Sequence, residues 1–168
     1  MGGWGLKMVG LDVGCGGNKV SPCFIGVDRC KNSVVDFVLD AENLSGFADC
    51  SVDVVYSRRA LQHVKNDFKA LSEMYRVLSF DGLAVVEVAS VFNALAAIFL
   101  NFVGLKRYSY GVFHVYSRRG FLGLVRSVGF RVVSYGLVPT RLGFYNHLVV
   151  LVKSDSLTAY RSPKSEAT

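Results

Sequence analysis

Residues 11–18 read LDVGCGGN and end an apolar stretch, residues 6–13, in a glycine-rich turn. The apolar stretch predicts a buried strand. The three glycines of the turn let backbone approach a ligand without a Cβ in between, and they tolerate a left-handed conformation. Asp12 lies two residues before the first glycine, so the strand delivers a carboxylate to the turn. The turn therefore predicts a ligand site, and the carboxylate suits a ligand with positive charge.

Three further apolar runs follow, and a polar residue ends each of them. Residues 24–27 precede Asp28, residues 34–39 precede Asp40, and residues 52–56 precede Ser57. In open α/β sheets, ligands bind outside the carboxyl ends of the strands. The polar residues therefore indicate one shared site at one edge of a parallel sheet.

Six blocks of the sequence together resemble a class I S-adenosylmethionine-dependent methyltransferase of the type 11 kind. They cover roughly the first half of the chain and occur in that family's order: residues 11–16, 26–28, 40–44, 51–57, 61–64 and 73–78. The resemblance implies an α/β fold with a Rossmann-like, doubly wound and mostly parallel sheet of seven strands, of which the last strand is antiparallel. It also implies S-adenosylmethionine as the cofactor and methyl transfer as the reaction.

The resemblance assigns cofactor-binding roles to residues at the strand ends. It implies that Asp12 orients the ammonium group, that Asp28 accepts hydrogen bonds from both ribose hydroxyls, and that Asp40 meets the adenine amino group. Carboxylates at three strand ends suit a ligand that carries an ammonium, a diol and a purine. The complete cofactor-binding set that the resemblance implies is Asp12, Gly14, Cys15, Gly16, Gly17, Asn18, Asp28, Arg29, Asp40, Ala41, Glu42, Ser57 and Arg58.

The chain departs from the common pattern of this family between the first two strands. About ten residues separate Gly16 from Gly26, whereas a crossover that contains a helix normally needs a dozen or more. We therefore expect reduced helices after the first two strands, as in the compact branch of the family. We also expect no N-terminal helix to cap the site, because little chain precedes the first strand.

The 168 residues predict a single domain over residues 1–154, followed by a disordered polar tail over residues 155–168. With 51% hydrophobic and 19% charged residues, the composition is that of a globular protein. Apolar spacing in the second half predicts helices over residues 67–78 and 117–128, and strands over residues 82–89, 131–138 and 147–153. We expect the last two strands to be antiparallel, as in the resembled fold.

Four cysteines, at positions 15, 23, 30 and 50, form no Cys-x-x-Cys pair and have no matching histidine spacing. This pattern argues against a zinc site, so we expect reduced thiols and no bound metal. The side chain of Cys15 is expected to point away from the ligand. The chain does not open with a basic segment followed by an apolar run, which favours a cytoplasmic protein over a secreted one.

Residues 91–105 are strongly apolar and leave three interpretations open. They are shorter than the roughly 18 residues that a membrane-spanning helix needs. They fit a helix in the core or in a homodimer interface, or part of a substrate lid over residues 91–116, where the resembled enzymes often place recognition insertions. The third interpretation is a helix on a membrane surface, supported by Lys106 and Arg107 directly after it.

The net charge is +6, and pairs of basic residues alternate with tyrosines. The pairs are Arg58-Arg59, Lys106-Arg107 and Arg118-Arg119, and the tyrosines are Tyr108, Tyr110 and Tyr116. Basic and aromatic side chains together suit a phosphate and a stackable base. We therefore expect an anionic acceptor, either a nucleic acid or a phosphorylated molecule. The alternative is a solvated basic surface.

His63 and His114 are the candidate catalytic residues. His63 lies one turn or so beyond Ser57, and His114 lies in the proposed lid. Either imidazole could act as a general base, and the alternative for both is a structural hydrogen bond. Methyl transfer need not use a base, because displacement from a sulfonium depends mostly on positioning and on the exclusion of water.

Two other functions are compatible with parts of the sequence. A non-catalytic S-adenosylmethionine-binding or interaction module fits the small size of the chain. A nicotinamide-dependent oxidoreductase is disfavoured, because Lys19 occupies the third glycine position of Gly-x-Gly-x-x-Gly. Asp28 also follows the turn too soon for the spacing of roughly 20 residues in that fingerprint.

Overall fold

The computed structural model describes residues 8–103, 111–140 and 143–153. Within these ranges the chain forms seven strands, three α-helices and one 3-10 helix. In chain order they are β1 (Gly10–Val13), β2 (Phe24–Asp28), β3 (Phe37–Val38), β4 (Val52–Arg58), the 3-10 helix (Leu61–His63), α1 (Asp67–Val77), β5 (Leu78–Ala89), α2 (Val91–Phe102), α3 (Arg118–Ser127), β6 (Phe130–Pro139) and β7 (Tyr145–Lys153). The predicted tail over residues 155–168 lies outside the described residues.

The seven strands form one sheet in the order β3-β2-β1-β4-β5-β7-β6. Strands β1 to β5 pair in parallel, and β7 pairs antiparallel with both β5 and β6. The predicted Rossmann-like sheet with an antiparallel last strand is therefore confirmed. From β1 the chain proceeds to β2 and β3 on one side, and it then returns to β4 on the other side. Such a reversal of strand order creates the crevice in which open α/β sheets bind ligands.

The first two crossovers, residues 14–23 and 29–36, contain no helix, as their length predicts. The strand predicted over residues 34–39 is shorter in the structure, because regular pairing with β2 involves only Phe37 and Val38. The Asp36 carboxylate accepts a hydrogen bond from the Gly26 amide at 2.7 Å. The Asp36 side-chain oxygen therefore accepts the hydrogen bond that a backbone carbonyl of β3 would otherwise accept. The pairing of β2 with β3 then begins at Phe37.

The helices α1 and α3 supply most of the core that packs against the sheet. The Asn66 side chain accepts a hydrogen bond from the Lys69 amide at 2.9 Å and caps α1, and Ser117 caps α3 through the Gly120 amide. The fully buried core residues of these helices and the sheet include Ala70, Leu71, Met74, Val77, Phe121, Val125, Val55, Val86, Val149 and Leu151. Both predicted helices are confirmed to within about a residue at each end.

The segment after α1 differs from the prediction at one point. β5 begins at Leu78, directly where α1 ends, and not at residue 82. α2 forms the first part of the proposed lid, whereas residues 104–110, which include Lys106 and Arg107, lie outside the described residues. No helix within the described ranges is long and apolar enough to cross a bilayer.

Candidate cofactor site

Two adjoining clefts open at the carboxyl ends of β1, β2 and β4. They contain about 690 Å³ and about 900 Å³ of empty space and share Gly14, Gly16, Arg59 and His63. The remaining lining of the first cleft is Asp28, Arg29, Leu39, Asp40, Ala41, Ala60 and Val64. The remaining lining of the second cleft is Asp12, Cys15, Gly17, Asn18, Arg58 and Gln62. The structure thus brings together every predicted cofactor residue except Glu42 and Ser57.

The glycine-rich turn lies between the two clefts. Gly14 has a φ of 74°, and a Cβ there would overlap the side chain of Ala60. Gly16 has a φ of 56°, and its Cβ would meet no protein atom within 4 Å. Because Gly16 lines both clefts, that Cβ would instead occupy ligand space. The thiol of Cys15 packs against Gly26 of β2, and burial raises the pKa of this thiol to about 11.

Asp28 fixes the glycine-rich turn and faces the first cleft. Its Oδ2 accepts a hydrogen bond from the Gly16 amide and its Oδ1 one from the Cys30 amide, both at 2.9 Å. The Asn32 side chain donates to the Gly16 carbonyl at 2.8 Å, so the turn is held on both sides. A carboxylate can accept about four hydrogen bonds. Asp28 therefore keeps acceptor capacity for a diol in the first cleft.

Asp12 supplies a buried carboxylate to the second cleft. It is 2% exposed, and its Oδ2 accepts a hydrogen bond from the Val20 amide at 2.7 Å. Burial raises the pKa of Asp12, while the Val20 bond and the positive charges of Arg58 and Lys19 act in the opposite direction. A cationic group in the second cleft would lower this pKa, because it would favour the ionised carboxylate.

The turn after β3 brings Ala41 to the first cleft. The Asp40 carboxylate accepts from the Glu42 amide at 2.9 Å, which closes a turn and exposes Asp40 at the cleft rim. Glu42 itself lies away from the clefts in this structure. Its Oε1 accepts from the amides of Lys65 at 2.7 Å and Asn66 at 2.9 Å, so it ties the turn to the start of α1 and lines neither cleft.

Ser57 is the second predicted residue that the structure does not bring to the clefts. Its side chain is fully buried, and its Oγ has no hydrogen-bond partner among the described residues. Successive side chains of a strand point to opposite faces of a sheet. Arg58, the next residue in β4, lines the second cleft, whereas Ser57 belongs to the face covered by the helices.

His63 lies where the two clefts meet. Its Nδ1 is 2.9 Å from the carbonyl oxygen of Gly111. A carbonyl can only accept, so Nδ1 carries the proton and Nε2 is the basic nitrogen of the neutral ring. The Nη1 of Arg29 donates to the His63 carbonyl at 3.4 Å. The contacts with Gly111 and Arg29 therefore hold His63 at the junction of the two clefts.

His114 does not lie at the clefts. Its Nε2 is 3.2 Å from the carbonyl oxygen of Lys65, and its Nδ1 is 3.5 Å from the Asp67 carboxylate. Its ring is tilted against Tyr116, which donates a hydrogen bond to the same carboxylate at 2.9 Å. These contacts give His114 a structural place between the start of α1 and residues 111–116.

Arg59 and Gln62 belong to the site although the cofactor-binding prediction omits them. Arg59 lines both clefts, has a φ of 56° and donates its amide to the Glu87 carbonyl at 2.7 Å. A residue other than glycine in this conformation costs about 1 kcal/mol or more and is typical of functional sites. Gln62 is 8% exposed, and its Oε1 accepts from the Ala89 amide at 3.3 Å.

A third cavity adjoins the clefts on the side of α2. It contains about 440 Å³ of empty space and is lined by Arg59, Gln62, His63, Ala89, Asn93, Ala94 and Val112. Beneath it, Asn93 donates to the Oδ1 of Asn146 at 2.6 Å, and Asn146 donates to the buried carboxylate of Glu87 at 2.5 Å. Asn93 is therefore held in place at the wall of a polar chamber beside His63.

Of the two basic pairs within the described residues, one lines the clefts and the other does not. Arg58 and Arg59 line the clefts. Arg118 lies 4.6 Å above the ring of Tyr135, and neither Arg118 nor Arg119 lines a cleft. Tyr116 is 5% exposed, and burial raises the pKa of its hydroxyl, so it is a core residue and not a stacking surface. No group of His, Cys, Asp and Glu in the described ranges could hold a metal ion.

Residues 11–86 match the model of the family described as Methyltransferase domain. Together with the sheet topology, this match bears out the predicted resemblance of the first half of the chain to class I S-adenosylmethionine-dependent methyltransferases of the type 11 kind. Among curated proteins, no sequence matches the chain.

Solved structures of methyltransferases share this fold. A Thermotoga maritima S-adenosylmethionine-dependent methyltransferase, a possible histamine N-methyltransferase, is 20% identical, with a TM-score of 0.68 over 86% of this chain and 82% of its own. The 1,6-didemethyltoxoflavin-N1-methyltransferase of Burkholderia thailandensis, solved with its ligand and S-adenosylhomocysteine, is 15% identical, with a TM-score of 0.67 over 86% of this chain and 70% of its own. A Methanosarcina mazei S-adenosylmethionine-dependent methyltransferase is 16% identical, with a TM-score of 0.65 over 86% and 91%.

Proposed function

We propose that this protein binds S-adenosylmethionine across the two clefts and transfers the methyl group to an acceptor with an anionic group. The observation that supports the proposal most is the position of Asp28. Its carboxylate holds the Gly16 amide at 2.9 Å, with Asp12 in the cleft on one side and Ala41 in the cleft on the other. One ligand that carries a diol between a cation and an aromatic ring fits this order.

The residues of the clefts fit the cofactor group by group. Asp12 suits the ammonium group, Asp28 the ribose hydroxyls, and Ala41 with the Asp40 turn the adenine ring. The space that a Cβ on Gly16 would fill is left open for the cofactor. When bound, the cofactor supplies a methyl group on a sulfonium, which is an electrophile. The protein's contribution is to hold donor and acceptor in line and to exclude water.

The third cavity suits the acceptor. Ala89, Ala94 and Val112 give it an apolar wall, while Gln62 and Asn93 can orient a polar group. The Nε2 of His63 can take a proton from an acceptor that loses one. Arg59 also lines the cavity, and its guanidinium favours an acceptor with a carboxylate or a phosphate.

Calorimetric titration tests the cofactor part of the proposal. We expect S-adenosylhomocysteine to bind with one site per chain and NADH not to bind. Tight binding of NADH without binding of S-adenosylhomocysteine would overturn it.

Methyl transfer to matched acceptor pairs tests the anionic part. Radiolabelled S-adenosylmethionine would be offered with small amines and alcohols, each with and without a phosphate. We expect faster transfer to the phosphorylated partner and loss of that preference in Arg59→Gln. Equal transfer to both partners of the pairs would contradict an anionic acceptor and leave cofactor binding untouched.

A further inference from the structure

The outer face of α2 is an exposed apolar surface. It consists of Phe92, Leu95, Ile98, Phe99 and Phe102, followed by Val103, and we call these six residues the α2 patch. Phe102 is 88% exposed and Phe92 71% exposed. Residues 92, 95, 99 and 102 share one side of the helix, and α2 contains no charged residue. An unbroken apolar helix face of this kind is rarely exposed to solvent unless it is a binding surface for a protein, a ligand or a membrane.

The inner face of α2 is fixed to the domain. Ala94 is 3% exposed, and Asn93 donates to Asn146 of β7 at 2.6 Å. The Val91 amide donates to the Tyr116 carbonyl at 3.1 Å, which joins the start of α2 to residues 111–116. Because these contacts hold the inner side, the α2 patch cannot turn inward without breaking them. Phe113 and Val115, both exposed, extend the apolar surface next to this junction.

The charge of the chain is divided sharply along the sequence. Residues 88–154 contain eight Lys and Arg residues and no Asp or Glu. Residues 1–87 contain nine basic and eleven acidic residues. Arg118 and Arg119, both exposed, begin α3 directly after the segment that joins α2. Lys106 and Arg107 follow α2 in the sequence by a few residues. The α2 patch therefore belongs to the half of the sequence that carries the excess of positive charge.

We propose that the α2 patch is a docking surface for an anionic lipid bilayer. Helix α2 would lie in the plane of the headgroups, with its phenylalanines among the upper acyl chains and the basic residues on the lipid phosphates. Its 12 residues span only about 18 Å, so a helix of this length lies in the interface and does not cross roughly 30 Å of hydrocarbon.

Charge distinguishes an anionic bilayer from two other possible occupants of the α2 patch, a second copy of the chain and a nucleic acid. A second copy of the chain would bring two basic halves together, and like charges repel. A nucleic acid would satisfy the basic residues but leave the phenylalanines of the α2 patch in water. An anionic bilayer would bind the basic residues through its phosphates and would also bury the phenylalanines of the α2 patch. The proposal does not rest on methyl transfer.

Sedimentation of the full chain with vesicles tests the proposal. The vesicles contain phosphatidylcholine, either alone or with about 30% phosphatidylglycerol. We expect binding to the anionic vesicles, weaker binding as salt is raised, and at least a tenfold loss of affinity in the double variant Phe99→Ser and Phe102→Ser, because the variant lacks two of the phenylalanines that the bilayer would bury. Phe68→Ser is the matched control, since Phe68 is exposed on α1, and it should bind like wild type.

Three results would overturn the proposal. The first is that the wild-type chain stays in the supernatant with anionic vesicles at low salt. The second is that the double variant, shown to be folded by circular dichroism, binds as well as Phe68→Ser does. The third is that sedimentation velocity shows a wild-type dimer that the double variant loses, which would assign the α2 patch to a second copy of the chain.

Discussion

Replacing Asp28 by alanine should weaken cofactor binding far more than it weakens the fold. The Asp28 carboxylate accepts hydrogen bonds from the Gly16 and Cys30 amides, both at 2.9 Å, and it faces the first cleft. The substitution removes these acceptors together with the two proposed for the ribose hydroxyls. A hydrogen bond to a charged group contributes roughly 1.5–3 kcal/mol. The loss of two ribose bonds therefore costs about 3 kcal/mol or more, which is roughly a hundredfold in affinity.

Calorimetry with S-adenosylhomocysteine measures the affinity, and thermal unfolding of the same samples measures stability. Asp53→Ala is the matched control. The Asp53 carboxylate accepts from the Val9 amide at 2.8 Å, but it lies near the amino end of β4 and lines neither cleft. Both variants lose a carboxylate bound to backbone, so both should lose about 1–3 kcal/mol of stability. Only Asp28→Ala should lose affinity.

Binding of S-adenosylhomocysteine by folded Asp28→Ala within about twofold of wild type would contradict the proposed role of Asp28, since a loss of two bonds predicts a far larger change. Equal losses of affinity in Asp28→Ala and Asp53→Ala would also contradict it. That result would make the effect of Asp28 a consequence of general destabilisation.

Four further substitutions have expected outcomes. Gly16→Val should abolish binding of S-adenosylhomocysteine in a titration, because its side chain would occupy ligand space. Cys15→Ser should retain binding, because the Cys15 thiol packs on β2. A larger loss of affinity in Cys15→Ser than in Gly16→Val would contradict the geometry of the turn. Gly26→Ala should lower the free energy of unfolding by about 1–3 kcal/mol in a urea titration, because its Cβ would lie 2.8 Å from a backbone carbonyl. Arg76 donates two hydrogen bonds to the Glu73 carboxylate and lowers the pKa of Glu73. A lowered folded-state pKa stabilises the fold above the unfolded-state value of about 4.3, and that contribution disappears as the pH falls through the folded-state value. Glu73→Gln should therefore reduce stability at pH 7 and flatten its acid dependence below about pH 4.5; an unchanged slope would show that the pair contributes nothing.

The parts of the site that the sequence predicts are those with a local signal. Asp12, Asp28 and Asp40 each follow an apolar run, and runs of this kind end at the same edge of a parallel sheet. The glycine turn is equally local, since Gly14 and Gly16 adopt the positive φ that the pattern allows. The short first crossover follows from chain length alone. These features need no knowledge of distant contacts.

The parts that the sequence does not predict depend on distant contacts or on side-chain direction. Glu42 is held by amides 23 and 24 residues away, and His114 by groups 49 and 47 residues away. No local pattern reveals such contacts. The orientation of Ser57 could have been found from the alternation of β4, which turns Arg58 toward the clefts and Ser57 away from them. The left-handed φ of Arg59 has no sequence signal at all.

Amide chemical shifts on titration with S-adenosylhomocysteine test the central claim, that one cofactor occupies both clefts, most directly. We predict shifts at Gly16 and Gly17 in the turn, at Arg29 after β2 and at Ala41 after β3, with the amide of Val9 as an unaffected reference. NADH should cause no shift at these positions. Shifts confined to one cleft, shifts elsewhere with the turn unaffected, or equal effects of NADH would contradict the claim.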